Sequence, residues 1–179
     1  MKPGEKGYSL IELLIGVTIT VLASGAAGGA IFQIMRNIER NSDHMTVVRQ
    51  VQNAGYWISR DAQMALGVTS NLTLPVPVLL SLTWTENAQA ATPIYHSANY
   101  TIENLSGDIG VLKRKHTSTA GANEQMIVAQ YIYYNPSDSD NTTMTSYQNP
   151  VVTVKLVARS GGIQETREYR IKRRPNTYG

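Results

Sequence analysis

The residues with the clearest potential for chemistry are the three histidines, His44, His96 and His116. A zinc site usually takes its ligands from closely spaced His or Cys residues, such as two His four positions apart on a helix. These histidines lie far apart in the sequence, and the chain contains no cysteine. We therefore expect satisfied or exposed histidines and no metal centre built on them.

Motifs for catalysis are also missing from the chain. Serines are numerous, but the sequence contains no G-x-S-x-G elbow, no phosphate-binding loop and no dinucleotide fingerprint. The sequence thus predicts a protein that is not an enzyme and that has no cofactor.

An acidic loop at Asp138-Ser139-Asp140-Asn141 is similar to the start of an oxygen-ligand calcium loop. Such loops also need a central glycine and a bidentate Glu at the twelfth position, where this chain has Asn149. We therefore expect a solvated loop and no metal. Asp138 and Asp140 are the side chains that a calcium ion would use.

Basic residues gather near the C-terminus, where Arg170 and Lys172 alternate with Tyr169 and Ile171. This alternation is typical of the wet face of an edge strand, where charges discourage pairing with another chain. The alternative is a patch that binds DNA or phospholipid. Because the net charge is only +3, we do not expect nucleic acid as a partner. The residues of that patch would be Arg170, Lys172, Arg173 and Arg174.

Glu12 is the only charge at the start of a long apolar run, and no ionisable side chain follows between Leu13 and Met35. A helix of about 20 apolar residues spans a bilayer core, so this run is long enough to cross a membrane. A secretory signal peptide would have a shorter apolar region, of about 7–15 residues. Small residues are typical of helix contacts in lipid, and Gly25 and Gly29 have the G-x-x-x-G spacing that predicts packing against a partner helix.

The N-terminus resembles that of type IV pilins and type II secretion pseudopilins. The residues that carry the resemblance are a short basic leader ending in Gly7, an aromatic Tyr8, and Glu12 five residues into the chain after Gly7, ahead of the apolar run. The stretch from Val47 to Ala65 is also similar to the corresponding part of the larger minor pseudopilins and minor pilins.

The resemblance implies that a prepilin peptidase cuts between Gly7 and Tyr8 and methylates the new amine of Tyr8. It also implies that Glu12 neutralises that amine, in its own or a neighbouring subunit, during assembly. The expected partners are other pilin or pseudopilin subunits, the prepilin peptidase, an inner-membrane assembly platform and, before assembly, membrane lipid.

The same resemblance predicts where the chain resides and what it does. We expect a single-pass cytoplasmic membrane protein whose C-terminal part lies outside the cytoplasm, later built into a filament in the periplasm or at the cell surface. A structural subunit, most similar to a minor pseudopilin, is the first hypothesis. The alternative is a minor type IV pilin or competence pseudopilin whose head binds DNA or another surface ligand.

The rest of the chain predicts an α+β fold, with one long N-terminal helix packed on an antiparallel sheet. Beyond Arg36 the helix becomes amphipathic, with a core stripe at Val48, Val51, Gly55, Ile58, Ala62 and Ala65. Glycine and prolines after residue 66 predict its end. The expected organisation is a leader (1–7), a membrane or filament-core helix (8–35), an amphipathic helix (36–67) and a β-rich head (68–179).

Period-two alternation with many Tyr, Thr, Val and Ile predicts the strands of the head. A Ser160-Gly161-Gly162 turn is expected between the last two strands, and residues 136–149 are expected to form a polar loop. The predicted strands are Leu79–Trp84, Tyr95–Glu103, Gly110–Lys115, Gln125–Tyr134, Val151–Arg159 and Gln164–Lys172.

Overall fold

The structure, a computed structural model, describes residues 9–173 and consists of one long helix and an eight-stranded antiparallel sheet. The helix, α1, runs over Leu10–Met64. The chain forms two compact units, each with most of its contacts within itself, and the boundary lies between Ser42 and Asp43. We call them the N-terminal unit and the sheet unit. The predicted α+β class, with a long helix packed on an antiparallel sheet, is confirmed.

Within the sheet unit, α1 packs one stripe of mostly small side chains against the sheet. The predicted stripe is largely right, but Val48 is only half-buried and Val47 takes its place. Because an α-helix has 3.6 residues per turn, the residues three and four positions before Val51 both lie near the same face of the helix. Those residues are Val48 and Val47, and Val47 is the one that the sheet buries. The buried helical residues are Val47, Val51, Ala54, Gly55, Ile58, Asp61 and Ala62.

The strands follow the helix in chain order and mostly pair with their sequence neighbours. Strands β1 to β5 form a continuous meander, and β5 joins β7 through a single bridge between Ile132 and Ala158. Strands β6 and β8 both pair with β7. The strands are β1 (Gly67–Asn71), β2 (Val78–Glu86), β3 (Ile94–Ser106), β4 (Ile109–Ser118), β5 (Asn123–Tyr133), β6 (Met144–Gln148), β7 (Val151–Ser160) and β8 (Ile163–Lys172).

All six predicted strands exist, and the expected hairpin turn between β7 and β8 is confirmed. Ser160 pairs with Ile163, and both intervening glycines have positive φ, 55° at Gly161 and 78° at Gly162. Two consecutive positive φ angles are what a type I′ hairpin requires, and glycine adopts them without strain.

Two short strands were not predicted. Strand β6 lies inside the expected polar loop 136–149, and β1 occupies residues that were expected to end the helix and begin a loop. The helix itself ends at Met64 rather than at residue 67. Both strands are five residues long and pair with a longer neighbour, β7 or β2. Pairing with that neighbour therefore decides their conformation more than their own composition does.

The helix also covers a free strand edge. Because β5 meets β7 only at its end, the backbone of its middle would otherwise lack partners on that side. The Asn53 side-chain amide donates to the Val128 carbonyl at 2.7 Å, and the Gln130 amide donates to the Gln50 side-chain carbonyl at 2.7 Å. Two polar helix residues thus replace a neighbouring strand.

Gly55 sets how closely β8 can approach the helix. The Tyr169 ring lies where a β-carbon at Gly55 would be, and the Tyr169 hydroxyl donates to the Val51 carbonyl at 3.0 Å. Glycine usually weakens the interior of a helix. Here the absence of a side chain leaves the space that the tyrosine ring occupies.

We expect Gly55→Ala to lower the free energy of unfolding by about 1–3 kcal/mol, because overpacking outweighs the roughly 1 kcal/mol that alanine adds to a helix. Chemical denaturation of the full chain in detergent micelles measures it. Gly29→Ala is the matched control, since an added β-carbon there meets nothing within 4 Å. In a Tyr169→Ala background, Gly55→Ala should no longer lower the free energy of unfolding. A Gly55→Ala protein as stable as the parent would contradict this packing.

Candidate functional site: the exposed apolar helix and the polar groups of the sheet unit

The most unusual surface of the described chain is the apolar helix of the N-terminal unit. Every residue from Ser9 to Ser42 is exposed, including large apolar side chains such as Leu10 (82% exposed) and Leu22 (68%). Soluble proteins rarely expose contiguous apolar patches larger than a few hundred Å², and larger ones mark interaction surfaces. Helix α1 is long and apolar enough to cross a membrane. Within residues 9–173, nothing buries this segment.

Glu12 lies in the first turn of this helix and helps to begin it. The Ser9 carbonyl accepts from the amides of Glu12 (3.0 Å) and Leu13 (3.2 Å), and the Ser9 amide donates to the Glu12 carboxylate at 3.3 Å. This is the Glu side of a capping box, with Ser at the N-cap and Glu three residues later. The spacing Ser9-x-x-Glu12 is the signal in the sequence that could have predicted this capping box.

No cation pairs with Glu12 among residues 9–173. Its described hydrogen-bond partner is the Ser9 backbone amide, and the part of the chain in which a partner cation was expected lies outside the described residues. The predicted cleavage pair, Gly7 and Tyr8, lies outside them as well. The role expected for Glu12 in assembly therefore stays a prediction.

The small and polar residues of the apolar helix are open to contact. A β-carbon added at Gly25 or Gly29 meets nothing within 4 Å. The hydroxyls of Thr18 and Thr20 donate to the carbonyls of Leu14 and Gly16, both at 2.8 Å, so they carry no unsatisfied donor into an apolar environment. Packing of a partner helix on Gly25 and Gly29 remains a prediction.

In the sheet unit, one acidic side chain of the helix, Asp61, is fully buried. Arg114 on β4 binds it with two donors, Nε at 2.7 Å and Nη2 at 3.0 Å, and the Tyr100 hydroxyl on β3 donates at 2.6 Å. The Arg114 guanidinium carbon lies over the Trp57 ring, 5.0 Å from the centroid of that ring. Helix and sheet are thus joined by a satisfied ion pair.

Tyr100 remains protonated in this network. Burial, followed by the adjacent Asp61 carboxylate, raises the pKa of Tyr100 far above the usual tyrosine value. A phenol that keeps its proton is a hydrogen-bond donor, which is what the buried carboxylate requires.

We expect Asp61→Asn to cost about 3–5 kcal/mol of unfolding free energy, because it leaves the Arg114 charge buried without a counter-ion. Replacing both residues by Leu should cost less than Asp61→Asn alone. The control is Glu103→Gln, which breaks the more exposed Lys113–Glu103 pair (2.6 Å) and should cost under about 1 kcal/mol. Denaturant titration of the full chain measures all three. Equal losses for Asp61→Asn and Glu103→Gln would rule out a special role for the buried pair.

Both acidic residues named as calcium ligands make contacts in the structure, Asp138 through its carboxylate and Asp140 through its backbone carbonyl. The Asp138 carboxylate accepts from the backbone amide (3.1 Å) and side-chain amide (3.2 Å) of Asn141, and the Lys155 ammonium donates to the Asp140 carbonyl. Between residues 9 and 173, no group of three or more His, Cys, Asp or Glu side chains could hold a metal ion. The ammonium beside Asp140 is itself unfavourable for a cation.

The basic C-terminal residues do not form one patch. Arg170 and Lys172 are exposed on β8, whose described pairing is with β7 alone, and Glu168 shares their face. Arg173 is engaged by the chain: it donates to the Asn149 side chain at 2.9 Å and to the Leu66 carbonyl. Arg174 lies outside the described residues.

Two of the three histidines, separate in the sequence, come together in the sheet. His96 Nδ1 lies 3.2 Å from His116 Nε2, and Trp84 stacks on both rings, with centroids 5.1 Å and 5.6 Å away. The predicted strands Tyr95–Glu103 and Gly110–Lys115 are neighbours in the sequence, and their pairing could have indicated this contact. However, the second of these two predicted strands ended at Lys115, one residue before His116.

Comparison of this chain with protein-family models, with curated proteins and with solved structures finds no match.

Proposed function

We propose that this chain is a non-enzymatic structural subunit of a pilin-like filament, of the kind found in type II secretion pseudopili and type IV pili. The observation that carries the proposal is the apolar helix of the N-terminal unit, exposed along its whole described length and preceded by the Gly7-Tyr8 and Glu12 pattern. The sheet unit would then be the head of the subunit.

The apolar surface supports this proposal because it suits two environments in turn. Before assembly, lipid tails can cover the side chains from Leu10 to Met35, and the Thr18 and Thr20 hydroxyls on that stretch donate to backbone carbonyls of the helix. After assembly, the same surface can contact the helices of other subunits, with Gly25 and Gly29 allowing close backbone approach. An ordinary enzyme anchor needs the first environment but not the second.

Glu12 supports the proposal through its charge. Glu12 lies in the first turn, so its carboxylate costs less than the about 2.5–3.5 kcal/mol of one at the middle of a membrane helix. A nearby cation in a medium of low dielectric constant offsets part of that cost. Cleavage after Gly7 would create an amine on Tyr8, close to Glu12 in sequence. An amine from a neighbouring subunit could pair with Glu12 equally well, which would couple charge neutralisation to assembly.

The head offers no second function of comparable support. DNA binding would depend on a dense positive surface, because contacts to phosphates dominate that affinity. Of the four basic residues named for it, Arg170 and Lys172 share their face with Glu168, and Arg173 is bonded within the chain. We therefore assign the head to contacts within the filament. The remaining partners would be a prepilin peptidase, an inner-membrane assembly platform and membrane lipid.

Processing is tested by the intact mass and N-terminal sequence of the protein isolated from its native membrane. We expect a chain that starts at Tyr8 and carries one extra methyl group. A chain that still starts at Met1 would contradict prepilin processing. The proposed role of Glu12 would then lose its partner amine.

The role of Glu12 in assembly can be separated from its role in the capping box. Glu12→Gln removes the charge but keeps a carbonyl that can accept from Ser9, since Gln also serves in capping boxes. Ser9→Ala removes the cap side chain but keeps the charge. We expect Glu12→Gln to reduce the amount of the subunit in sheared filaments about tenfold or more, equivalent to about 1.4 kcal/mol, and Ser9→Ala to change it little.

The filament experiment needs equal amounts of each variant in the membrane fraction. Glu39→Gln, an exposed carboxylate on the same helix, is the control for a change of net charge. If Ser9→Ala reduces incorporation as much as Glu12→Gln does, helix initiation rather than charge explains the effect. Normal incorporation of Glu12→Gln would remove the proposed role of this carboxylate.

A further inference from the structure

The histidine pair lies at one end of the sheet face that α1 covers. His116 is opposite Ala98, and Ala98 is opposite Leu82. Trp84 is opposite His96, so these five neighbouring positions on three strands share one face. The side chains of His96 and His116 are only 13% and 15% exposed. Their ring planes lie within 4° of each other and of the Trp84 plane.

A carboxylate lies at each end of the pair. His96 Nε2 is 3.1 Å from the Glu86 carboxylate on β2, and His116 Nδ1 is 3.9 Å from the Glu124 carboxylate on β5. The order Glu86, His96, His116, Glu124 therefore runs across four adjacent strands. Both carboxylates are well exposed, at 58% and 70%, whereas both imidazoles are largely covered.

The chemistry of imidazole fixes how protons can be arranged in this row. With both rings neutral, His96 donates from Nε2 to Glu86, so its Nδ1 is an acceptor and His116 must donate from Nε2. One added proton enters at His116 Nδ1, where it faces Glu124, and the bond between the two rings is kept. A second proton must enter at His96 Nδ1. There it would face the N–H of His116 across 3.2 Å, so the bond between the rings is lost.

We propose that His96 and His116 form a proton-sensitive clasp across β2, β3, β4 and β5, which accommodates one proton and opens when it takes a second. Opening separates two imidazolium rings and removes the stacked surface from Trp84. This inference does not rest on the proposed filament function, because it concerns only residues of the sheet unit.

The groups facing the clasp decide the direction of its response to pH. Burial, followed by the Arg114 guanidinium and by His96, lowers the pKa of His116, and the carboxylates of Glu124 and Asp61 oppose them. The folded protein thus has a His116 pKa below the ordinary histidine pKa of about 6.5. At a pH between these two pKa values, the unfolded chain binds this proton and the folded chain does not. This contribution to stability is therefore complete above about pH 6.5 and is lost as the pH falls through the folded value.

Long-range proton–nitrogen NMR of the full chain, labelled with ¹⁵N-histidine in detergent micelles with EDTA, tests the clasp directly. Above pH 7.5 we expect His96 and His116 both to carry their proton on Nε2. On acidification, the first proton should appear on His116 Nδ1 at a pH below 6.5. Identical, independent titration of the two rings would overturn the proposal, as would a proton on Nδ1 of neutral His96.

Tryptophan fluorescence provides a second measurement of opening. We expect a step in emission at the pH of the second protonation, present in the parent and lost in Trp84→Phe and in His116→Gln. His44→Gln, an exposed histidine on the helix, is the matched control and should keep the step. A step that persists in His116→Gln would contradict the clasp. If His116→Gln fails to fold, the NMR tautomers of the parent chain decide the question.

Discussion

The buried carboxylate of Asp61 is the constraint on which the docking of helix and sheet depends. An ionised carboxylate without exposure to water is tolerated only if nearly all its lone pairs are satisfied. Arg114 and Tyr100 achieve this from two adjacent strands, which fixes both the rotation of α1 and its position along the sheet. If the helix shifted by one residue, Asp61 on the helix and Arg114 on the sheet would both remain buried without their partner charge.

The apolar contacts around this ion pair restrict the docking geometry of helix and sheet less than the ion pair does. The helix stripe contains Ala54 and Ala62, whose small side chains allow close approach but specify little by shape. Specificity comes instead from directed contacts: Asn53 and Gln50 on the β5 edge, and the Tyr169 hydroxyl on the Val51 carbonyl. Hydrogen bonds with fixed geometry therefore do in this interface what large interlocking side chains do in other cores.

The sequence predicted the architecture well because periodicity reports burial directly. Six strands, the long helix and the Gly161-Gly162 turn follow from patterns that are local in the chain. What sequence reasoning missed depends on contacts between distant residues. Strand β6 exists because β7 pairs with it, and Asp61 is buried because Arg114 lies 53 positions later in the chain.

The same limit explains the histidines. Spacing along the chain excluded a local metal motif, but it could not show that β3 and β4 place His96 and His116 side by side. A hairpin converts a separation of 20 residues into a contact of 3.2 Å. Predicting this contact requires the register of the β3–β4 hairpin, and a register shift lies between Glu103 and Ser106 in that hairpin.

Glu12 and Asp61 show how differently one helix can treat two carboxylates. Asp61 has its cation within the chain, so the sheet unit needs nothing else to keep the charge buried. Glu12 has, among the described residues, only a backbone amide at the start of an apolar segment, which is enough for a solvated helix end but not for a site without water. If that segment enters lipid or a helix bundle, its carboxylate must find a cation beyond residues 9–173. If that cation belongs to a neighbouring subunit, as the proposed function allows, pairing it with Glu12 would favour assembly through electrostatics as well as through the apolar surface.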